Sequence, residues 1–247
     1  MGTSGREDLR ETLARATRIG VLTGAGISAE SGVPTFRGED GLWRGHPPEE
    51  LATPEAFRRD PAFVWEFYDW RRTLLAGCRP NPAHRALAEL ERVKPGTTII
   101  TQNVDGLHQQ AGSERVIELH GNIWRVRCLR GCPETIDRRA PLPRPLPPRC
   151  RCGALLRPAV VWFGETLPPR ALAEADRVAR ESEVFLVIGT SGVVEPAASL
   201  ARIAWSAGAR VVEINPEPTP LSSIAHDVFR EPASRVLTRL VGGLEAP

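Results

Sequence analysis

The stretch that decides the fold is Ile19-Gly20-Val21-Leu22-Thr23-Gly24-Ala25-Gly26-Ile27-Ser28-Ala29. Its first part is an apolar run of strand length, which predicts a buried strand. The continuation fits G-x-G-x-x-A, the dinucleotide-binding fingerprint with alanine in the third glycine position. Glycine at Gly24 and Gly26 permits a tight turn and lets backbone N–H groups approach a pyrophosphate at a helix N-terminus. The stretch predicts the first strand and turn of a nucleotide-binding α/β domain, and a turn with no ligand is the alternative.

Short apolar runs alternate with longer helical patterns along the rest of the chain, as in a parallel sheet with crossover helices. The predicted strands are Ile19–Thr23, Thr97–Thr101, Val116–Leu119, Val184–Gly189 and Arg210–Ile214. The predicted helices, each with proline close to its first turn, are Pro82–Arg92, Pro169–Glu181 and Pro196–Ala207. The fold class that follows is α/β, a Rossmann-type parallel sheet with helices on both faces.

The composition is that of an ordinary globular protein, with 25% charged and 41% hydrophobic residues among 247. A net charge of +2 is too near neutral to suggest non-specific binding to nucleic acid or to a membrane surface. No apolar run approaches the roughly 20 residues that span a bilayer, and the N-terminus has no signal-peptide core. We therefore expect a cytoplasmic protein. Its single lysine is Lys94, so 31 of the 32 basic residues are arginine.

Two segments interrupt the alternation, and the second contains all but one of the cysteines. We expect a helical insertion at 38–79, a zinc-binding module at 123–157, and a Rossmann-type domain made of 1–37, 80–122 and 158–247. The module is rich in proline and arginine and too poor in long apolar residues to build its own core. Its thiolates, with free thiols as the alternative, fit one tetrahedral structural zinc at Cys128, Cys132, Cys150 and Cys152.

Polar side chains follow the second predicted strand in the run Thr101-Gln102-Asn103-Val104-Asp105. In a parallel sheet the carboxyl ends of the strands form the ligand crevice, so these groups can bind a ribose or a carboxamide. Helix capping by Asn103 or Asp105 is the alternative. The acidic residue that ordinarily follows the second strand of a dehydrogenase is missing, which argues against hydride transfer.

His120 ends the next short strand at the same edge of the sheet. A histidine with a pKa near 6.5 can act as a general base at neutral pH, and a purely structural histidine is the alternative. The other four histidines lie in helical or loop contexts, at His46, His84, His108 and His226.

Taken together, these motifs resemble the sirtuin family. The matches run in the family's order from about residue 18 to residue 233, so the series is far more specific than any one motif. They are Gly24–Ser28, Ser31–Arg37, Thr101–Asp105, His120-Gly121, the four cysteines, Val161–Glu165, Gly189–Ser191 and Asn215.

The resemblance implies an enzyme that consumes NAD as a co-substrate while it removes acyl groups from protein lysines, with His120 as the base. On this basis NAD is assigned to Gly24, Ala25, Gly26, Ser28, Glu30, Phe36, Arg37, Gln102, Asn103, Asp105, Gly189, Thr190, Ser191, Asn215, Glu217 and Ala233. The acyl-lysine tunnel is assigned to Val161, Phe163, Gly164 and Glu165. The implied partners are proteins that carry acylated lysines.

The acyl group is indicated by Tyr68 and Arg71, which lie three residues apart and therefore on one helix face. Together they can bind a carboxylate, as in the sirtuin class that prefers succinyl- and malonyl-lysine. An interior Tyr68 beside a surface Arg71 is the alternative. Glu39 and Asp40 depart from that class, because an acidic side chain in the tunnel would repel the carboxylate.

Three other functions are compatible with the same motifs. The chain could be a plain lysine deacetylase, a mono-ADP-ribosyl transferase, or a non-catalytic module that senses NAD or uses its zinc ribbon for interaction. An intact base at His120 argues against the last of these.

Overall fold

The computed structural model describes residues 4–34 and 43–244, with the backbone alone for residues 4–8. Its main sheet has six parallel strands in the order β3-β2-β1-β7-β8-β9. In chain order these strands are β1 (Ile19–Thr23), β2 (Thr97–Thr101), β3 (Val116–Glu118), β7 (Val184–Ile188), β8 (Arg210–Ile214) and β9 (Asp227–Phe229). Strand order reverses between β1 and β7, which is where a doubly wound sheet opens its ligand crevice.

Helices cover both faces of this sheet, and each strand sends alternate side chains to opposite faces. Val21 packs on one face with α1 (Ser4–Arg15), α5 (Pro82–Val93) and α9 (Ala233–Val241). Leu22 packs on the other face with α7 (Pro169–Glu181) and α8 (Ser199–Ser206). The predicted Rossmann-type architecture is confirmed.

A smaller antiparallel sheet in the order β5-β4-β6 lies between β3 and β7 in the chain. Its strands are β4 (Gly121–Cys128), β5 (Thr135–Ile136) and β6 (Leu156–Val160). It shares one apolar core with the helices α2 (Pro48–Leu51), α3 (Pro54–Arg59) and α4 (Pro61–Gly77). A short helix, α6 (Leu107–Gln110), follows β2. The cysteine-rich segment thus packs against the helices of the preceding insertion, where Leu142 is 3% exposed.

Two ionic contacts fasten this segment to α4. The fully buried Arg72 guanidinium binds the main-chain oxygen of Asp137 and lies 3.3 Å from its carboxylate. On the same helix, Asp69 accepts hydrogen bonds from the Leu142 N–H at 2.6 Å and from Arg144 at 3.1 Å. Because buried charges are stable only when paired, these contacts fix how α4 sits on the small sheet.

Most predicted elements of the main sheet are present within two residues of their expected bounds, and one helix begins later than expected. The helix expected from Pro196 starts at Ser199, because residues 195–198 form turns instead. The Glu195 carboxylate accepts hydrogen bonds from both the N–H and the hydroxyl of Ser199, and it holds that turn. The strands expected to end at Leu119 and Gly189 each end one residue earlier.

The single lysine lies at the end of α5. Lys94 is 8% exposed, and its ammonium donates a hydrogen bond to the main-chain oxygen of Ala14 in α1. Among the described residues, no helix has the length and apolarity that a membrane span requires.

Candidate active site

The glycine-rich turn packs directly against the carboxyl end of β7. The N–H of Gly24 donates to Ile188 O at 3.0 Å, and that of Gly26 donates to Gly189 O at 2.8 Å. A Cβ on Gly24 or Gly26 would lie 2.8 Å from backbone atoms at Gly189, and one on Gly189, at φ +58°, would lie 2.4 Å from Ile27 N. Glycine is therefore required for backbone packing, and residues 25–31 continue as a 3-10 helix.

The polar residues after β2 join the ends of three strands at the crevice. Gln102 donates its side-chain amide to Thr190 Oγ1 at 2.9 Å, after β7. Asn103 donates to Gly24 O at 3.0 Å and to Ser28 Oγ at 3.3 Å, after β1. The run predicted from the sequence thus lies beside the glycine-rich turn, with side chains half-buried at the mouth of the crevice.

Asp105 and Ser28 form a buried polar pair beneath the turn. The Ser28 hydroxyl donates to Asp105 Oδ2 at 2.8 Å, and the N–H of Leu107 donates to Oδ1 at 2.8 Å. This contact closes a turn before α6, whose N-cap residue is Gly106 and has no side-chain cap, so Asp105 is not the helix cap that was the alternative. Burial raises the pKa of Asp105, and the hydrogen bonds from Leu107 and Ser28 oppose that rise.

Two buried histidines extend this network on the side away from the crevice. His84 Nε2 lies 3.4 Å from Ser28 Oγ, and its Nδ1 accepts from Asn81 N–H at 3.3 Å. His108 Nε2 lies 3.0 Å from Thr23 Oγ1. Burial lowers the pKa of His84 to about 4 and that of His108 to about 3, so both imidazoles are neutral at pH 7.

Other residues assigned to NAD follow β7 and β8. Asn215 donates to Thr190 O at 2.7 Å, which joins the two strand ends, while Ser191 is half-buried next to Thr190. Glu217 is exposed, and Ala233 is the buried first residue of α9. Glu30 accepts a hydrogen bond from Ser234 at 2.6 Å, so it lies against the start of α9.

His120 lies in the turn between β3 and β4, half-buried. Its Nδ1 is 2.8 Å from Gln102 O, and a carbonyl oxygen can only accept, so Nδ1 carries the proton and Nε2 keeps its lone pair. Burial lowers the pKa of His120, and the bond to Gln102 opposes that shift. The ring is therefore a neutral base at pH 7, held in the tautomer that presents Nε2.

The segment assigned to the acyl-lysine tunnel leaves β6 next to this histidine. Val161 N–H donates to His120 O at 2.8 Å, and Phe163 is 51% exposed. Gly164 follows at φ +83° in the turn that brings Glu165 back, where Glu165 N–H donates to Trp162 O at 3.0 Å. The Glu165 carboxylate binds Arg157 through two hydrogen bonds, at 2.6 and 2.8 Å.

Tyr68 and Arg71 lie on α4, facing the same region. Tyr68 is 2% exposed, and burial raises its pKa to about 12 although Arg71 and a hydrogen bond from Trp162 lower it. Arg71 is half-buried, with its guanidinium carbon 5.6 Å from the centre of the Phe67 ring. Desolvation lowers the pKa of Arg71, while Tyr68 and Asp105 raise it. Arg71 thus lies near both the Tyr68 phenol and Asp105.

Four residues considered in the sequence lie outside the described part of the chain. They are Phe36, Arg37, Glu39 and Asp40.

The four cysteines of the small module form one compact cluster. The sulfur atoms of Cys128, Cys132, Cys150 and Cys152 all lie within 4.8 Å of one another. Tetrahedral Zn–S bonds of ~2.3 Å separate the sulfurs by roughly 3.8 Å, so the cluster fits one zinc ion. The N–H of Arg130, 3.4 Å from Cys128 Sγ, lowers the pKa of that thiol to about 6 and favours the thiolate that a metal requires. All four positions belong to cysteines, so zinc would serve the structure of the module.

Sequence reasoning missed three residues that the fold brings to the site. Trp162 binds Tyr68 through its indole N–H at 2.9 Å, and His84 and His108 lie beneath the glycine-rich turn. The N-cap pattern Asn81-Pro82 pointed to the start of α5, and it could have shown that His84 falls in the first turn, where it completes a capping box. Trp162 lies inside the motif Val161–Glu165, but no local pattern shows that it contacts Tyr68, 94 residues away.

Comparisons with known proteins agree with this geometry. The model of the Sir2 family matches residues 24–196. An NAD-dependent protein deacylase of Aquifex aeolicus (strain VF5) is 58% identical over 223 residues, which cover 90% of this chain and 93% of that protein. A solved complex of a Sir2 homologue with NAD has a TM-score of 0.91 and 50% identity and covers 96% of this chain and 93% of its own. A Sir2 homologue mutant in complex with 2′-O-acetyl ADP ribose has a TM-score of 0.90 and 48% identity over 96% of both chains. The chain combines a parallel sheet, a crevice at its strand ends and a cysteine cluster, and with these matches it belongs to the Sir2 family.

Proposed function

We propose that this chain, an NAD-dependent protein deacylase of the Sir2 family, prefers acidic acyl groups such as succinyl and malonyl on the lysines of its protein substrates. The observation that carries the preference is the position of Tyr68 beside Arg71 on α4. With its pKa raised to about 12, the Tyr68 phenol is neutral and donates a hydrogen bond. Arg71 supplies the positive charge, and a carboxylate accepts from both.

The proposed reaction uses NAD as a reagent that is broken. The oxygen of the acyl amide attacks C1′ of the nicotinamide ribose, and nicotinamide leaves. His120 Nε2 takes the proton from a ribose hydroxyl, whose oxygen then attacks the carbon of the former amide. Water completes the turnover, and the products are the free lysine, nicotinamide and an O-acyl-ADP-ribose.

We assign the NAD site to the residues on four joined strand ends. Gly24, Gln102 and Asn103 come from β1 and β2, and Thr190 and Asn215 come from β7 and β8. Ala25, Gly26, Ser28, Asp105, Gly189 and Ser191 belong to the same assignment, with Phe36 and Arg37 retained from the sequence motif. Glu30, Glu217 and Ala233 complete it at the outer end of the crevice.

We assign the acyl-lysine channel to Val161, Phe163, Gly164 and Glu165, which begin next to His120. The hydrogen bond between Val161 N and His120 O supports a substrate path that ends at the base. We also propose that 1–37, 80–122 and 158–247 form the NAD-binding domain, 38–79 the helical insertion and 123–157 the zinc-binding module. β4 (Gly121–Cys128) crosses the start of that module, and β6 (Leu156–Val160) crosses its end.

The test compares kcat/KM for succinyl-lysine and acetyl-lysine peptides in the wild type and in the double variant Tyr68→Phe, Arg71→Met. A hydrogen bond to a charged group contributes about 1.5–3 kcal/mol, so desuccinylation should fall tenfold to a hundredfold more than deacetylation. Arg58→Met is the matched control, because Arg58 is an exposed arginine paired with Glu55. Equal losses on both peptides would show a plain deacetylase instead.

Nicotinamide release separates the remaining alternatives. Release without O-acyl-ADP-ribose, with the ADP-ribose label remaining on protein, would indicate ADP-ribosyl transfer. Absence of nicotinamide release with every acyl-lysine peptide would indicate a non-catalytic NAD-sensing module.

A further inference from the structure

Trp162 lies between two residues assigned to the acyl-lysine channel, but its side chain points to α4. It is 3% exposed, and its indole Nε1 donates a hydrogen bond of 2.9 Å to the hydroxyl oxygen of Tyr68. An indole N–H can only donate, so the Tyr68 oxygen is the acceptor in this contact. The phenolic hydrogen of Tyr68 is then directed to a different partner.

Contacts with two neighbouring side chains hold the Trp162 ring in one orientation. The guanidinium carbon of Arg157 lies 3.5 Å from the centre of the indole ring, and the ring of Phe57 lies 5.2 Å away. Both carboxylate oxygens of Glu165 bind the Arg157 guanidinium. Glu165 Oε2 also accepts a hydrogen bond from the main-chain N–H of Trp162 at 2.9 Å. The Arg157 guanidinium thus fixes the side chain of Trp162, and the Glu165 carboxylate fixes its main chain.

The contacts form a continuous series that runs from Glu165 to Arg157, then to Trp162 and Tyr68. The charged pair of Arg157 and Glu165 therefore supports the residues at the proposed acyl-lysine channel. Arg157 and Glu165 are mostly buried, with 12% and 27% of their side chains exposed. Their contacts end at a phenol that, with its pKa raised to about 12, donates its hydrogen at neutral pH. An acyl carboxylate accepts hydrogen bonds and donates none, so it matches a phenol whose oxygen is already occupied by an N–H donor.

We propose that Trp162 is a positioning residue that sets the acyl preference by orienting the Tyr68 hydroxyl toward the acyl carboxylate. The inference rests on the proposed function, because it acts through Tyr68.

The experiment measures the ratio of kcat/KM for succinyl-lysine to that for acetyl-lysine peptide in Trp162→Phe. Phenylalanine keeps an aromatic ring and removes the N–H donor. The ratio should fall about threefold to tenfold, the effect of one neutral hydrogen bond, mainly through a higher KM for the succinyl peptide. Both peptides are assayed on the same preparation, so any loss of folded enzyme cancels in the ratio. Trp205→Phe, an exposed tryptophan on α8, is the control and should leave the ratio unchanged.

A double-variant cycle decides whether the effect passes through Tyr68. In the Tyr68→Phe background, Trp162→Phe should leave the ratio unchanged, and an equal fall in both backgrounds would overturn the inference. If the ratio responds to Tyr68→Phe but not to Trp162→Phe, the inference about Trp162 is overturned and the proposed function remains. A wild-type ratio that does not respond to Tyr68→Phe would overturn both.

The single tyrosine of the chain permits a direct readout. With tyrosine labelled at its hydroxyl-bearing ring carbon, the protein gives one NMR resonance, that of Tyr68. Binding of a succinyl-lysine peptide should shift this resonance in the wild type and shift it less in Trp162→Phe. The same shift in both proteins would contradict orientation by Trp162.

Discussion

His120 Nδ1 lies 2.8 Å from the main-chain oxygen of Gln102, so one backbone contact both orients the ring and determines which nitrogen is free to accept a proton. Gln102 is also the first residue after β2, and its side chain binds Thr190. The tautomer of the proposed base is therefore fixed by the same segment that closes the crevice, and no side-chain carboxylate is needed for it.

We expect His120→Ala and His120→Tyr to lower kcat about 100-fold to 10,000-fold, because a positioned general base contributes that much. Formation of the deacylated peptide is the measurement, because nicotinamide leaves before His120 acts. Burial lowers the pKa of His120 below 6.5, and the active form is the neutral ring. Activity should therefore rise with pH through an apparent pKa below 6.5 and be level above it. His46→Ala, at a half-buried ring near Glu50, is the control, and full activity in the His120 variants would contradict the role of base.

The buried histidines His84 and His108 should make the protein less stable in mild acid. Their pKa values are about 4 and about 3 in the folded state, below the ordinary 6.5. Between pH 6.5 and these folded-state pKa values, the two histidines bind protons in the unfolded chain but not in the folded protein. Stability is therefore full above pH 6.5 and falls with decreasing pH, by about 1.4 kcal/mol per pH unit for each histidine.

Urea unfolding at pH 7, 6 and 5 measures this dependence. The groups around the two rings are the Arg85 guanidinium, the Asn81 N–H and the hydroxyls of Ser28 and Thr23, and the centres of the two rings lie 5.0 Å apart. His84→Asn and His108→Asn should each flatten the pH dependence, whereas His46→Asn should not, since His46 is only half-buried and bound to Glu50. An unchanged slope in both buried variants would show that other groups cause the acid sensitivity.

Gly189→Ala should destabilise the protein more than an alanine at a positive-φ glycine that has open space beside it. The added Cβ would lie 2.4 Å from Ile27 N, so the glycine-rich turn must move away from β7. Gly208→Ala is the matched control, because Gly208 has φ +94° and nothing within 4 Å of the added Cβ. The control should cost about 1–2 kcal/mol for the left-handed backbone alone. The free energy of unfolding and the NAD dissociation constant are the measurements, and equal changes in the two variants would contradict a packing role for Gly189.

The purified protein should contain one zinc per chain, and Cys128→Ser should remove most of it. Cys78→Ser is the matched control, because Cys78 is buried and its sulfur contacts Leu74 O, not the cluster. Metal analysis and the melting temperature are the readouts, and the loss of zinc should lower Tm. Retention of zinc in Cys128→Ser would contradict the four-cysteine site.

Arg72→Met should cost about 1–3 kcal/mol of unfolding free energy, because it leaves the main-chain oxygen of the 8%-exposed Asp137 without its donor, while Arg139 still pairs with the Asp137 carboxylate. Arg92→Met removes an exposed pair with Glu89 and should cost less than about 1 kcal/mol. Urea unfolding with both variants tests the difference. Similar costs would show that α4 and the cysteine module are not fastened at Arg72.

The main sheet could be predicted from the sequence because most residues of its central strands are buried and are apolar or β-branched. Ile19–Thr23, Thr97–Thr101 and Arg210–Ile214 match their expected bounds. The small sheet was not predicted, since β6 contains Pro158 and β4 contains Arg125 and Arg127, which obscure the alternation of a half-buried strand.

The polar end of β2 could be expected at the crevice from topology alone. Which of its groups would face inward could not, because Asp105 is held by Ser28, 77 residues away in the sequence. The start of α8 was predicted at Pro196 and lies at Ser199 for a related reason. The Glu195 side chain binds Ser199 and holds residues 195–198 in turns, which the proline pattern could not show.

The enclosure of Lys94 has a consequence for the enzyme as a protein among its own substrates. Its one ε-amine is 8% exposed and hydrogen-bonded to Ala14 O across two helices. Reactive acyl thioesters that modify lysines on neighbouring proteins would find no accessible lysine side chain on this one. The enzyme is thus protected from the modification that it removes, and it does not compete with its substrates for its own active site.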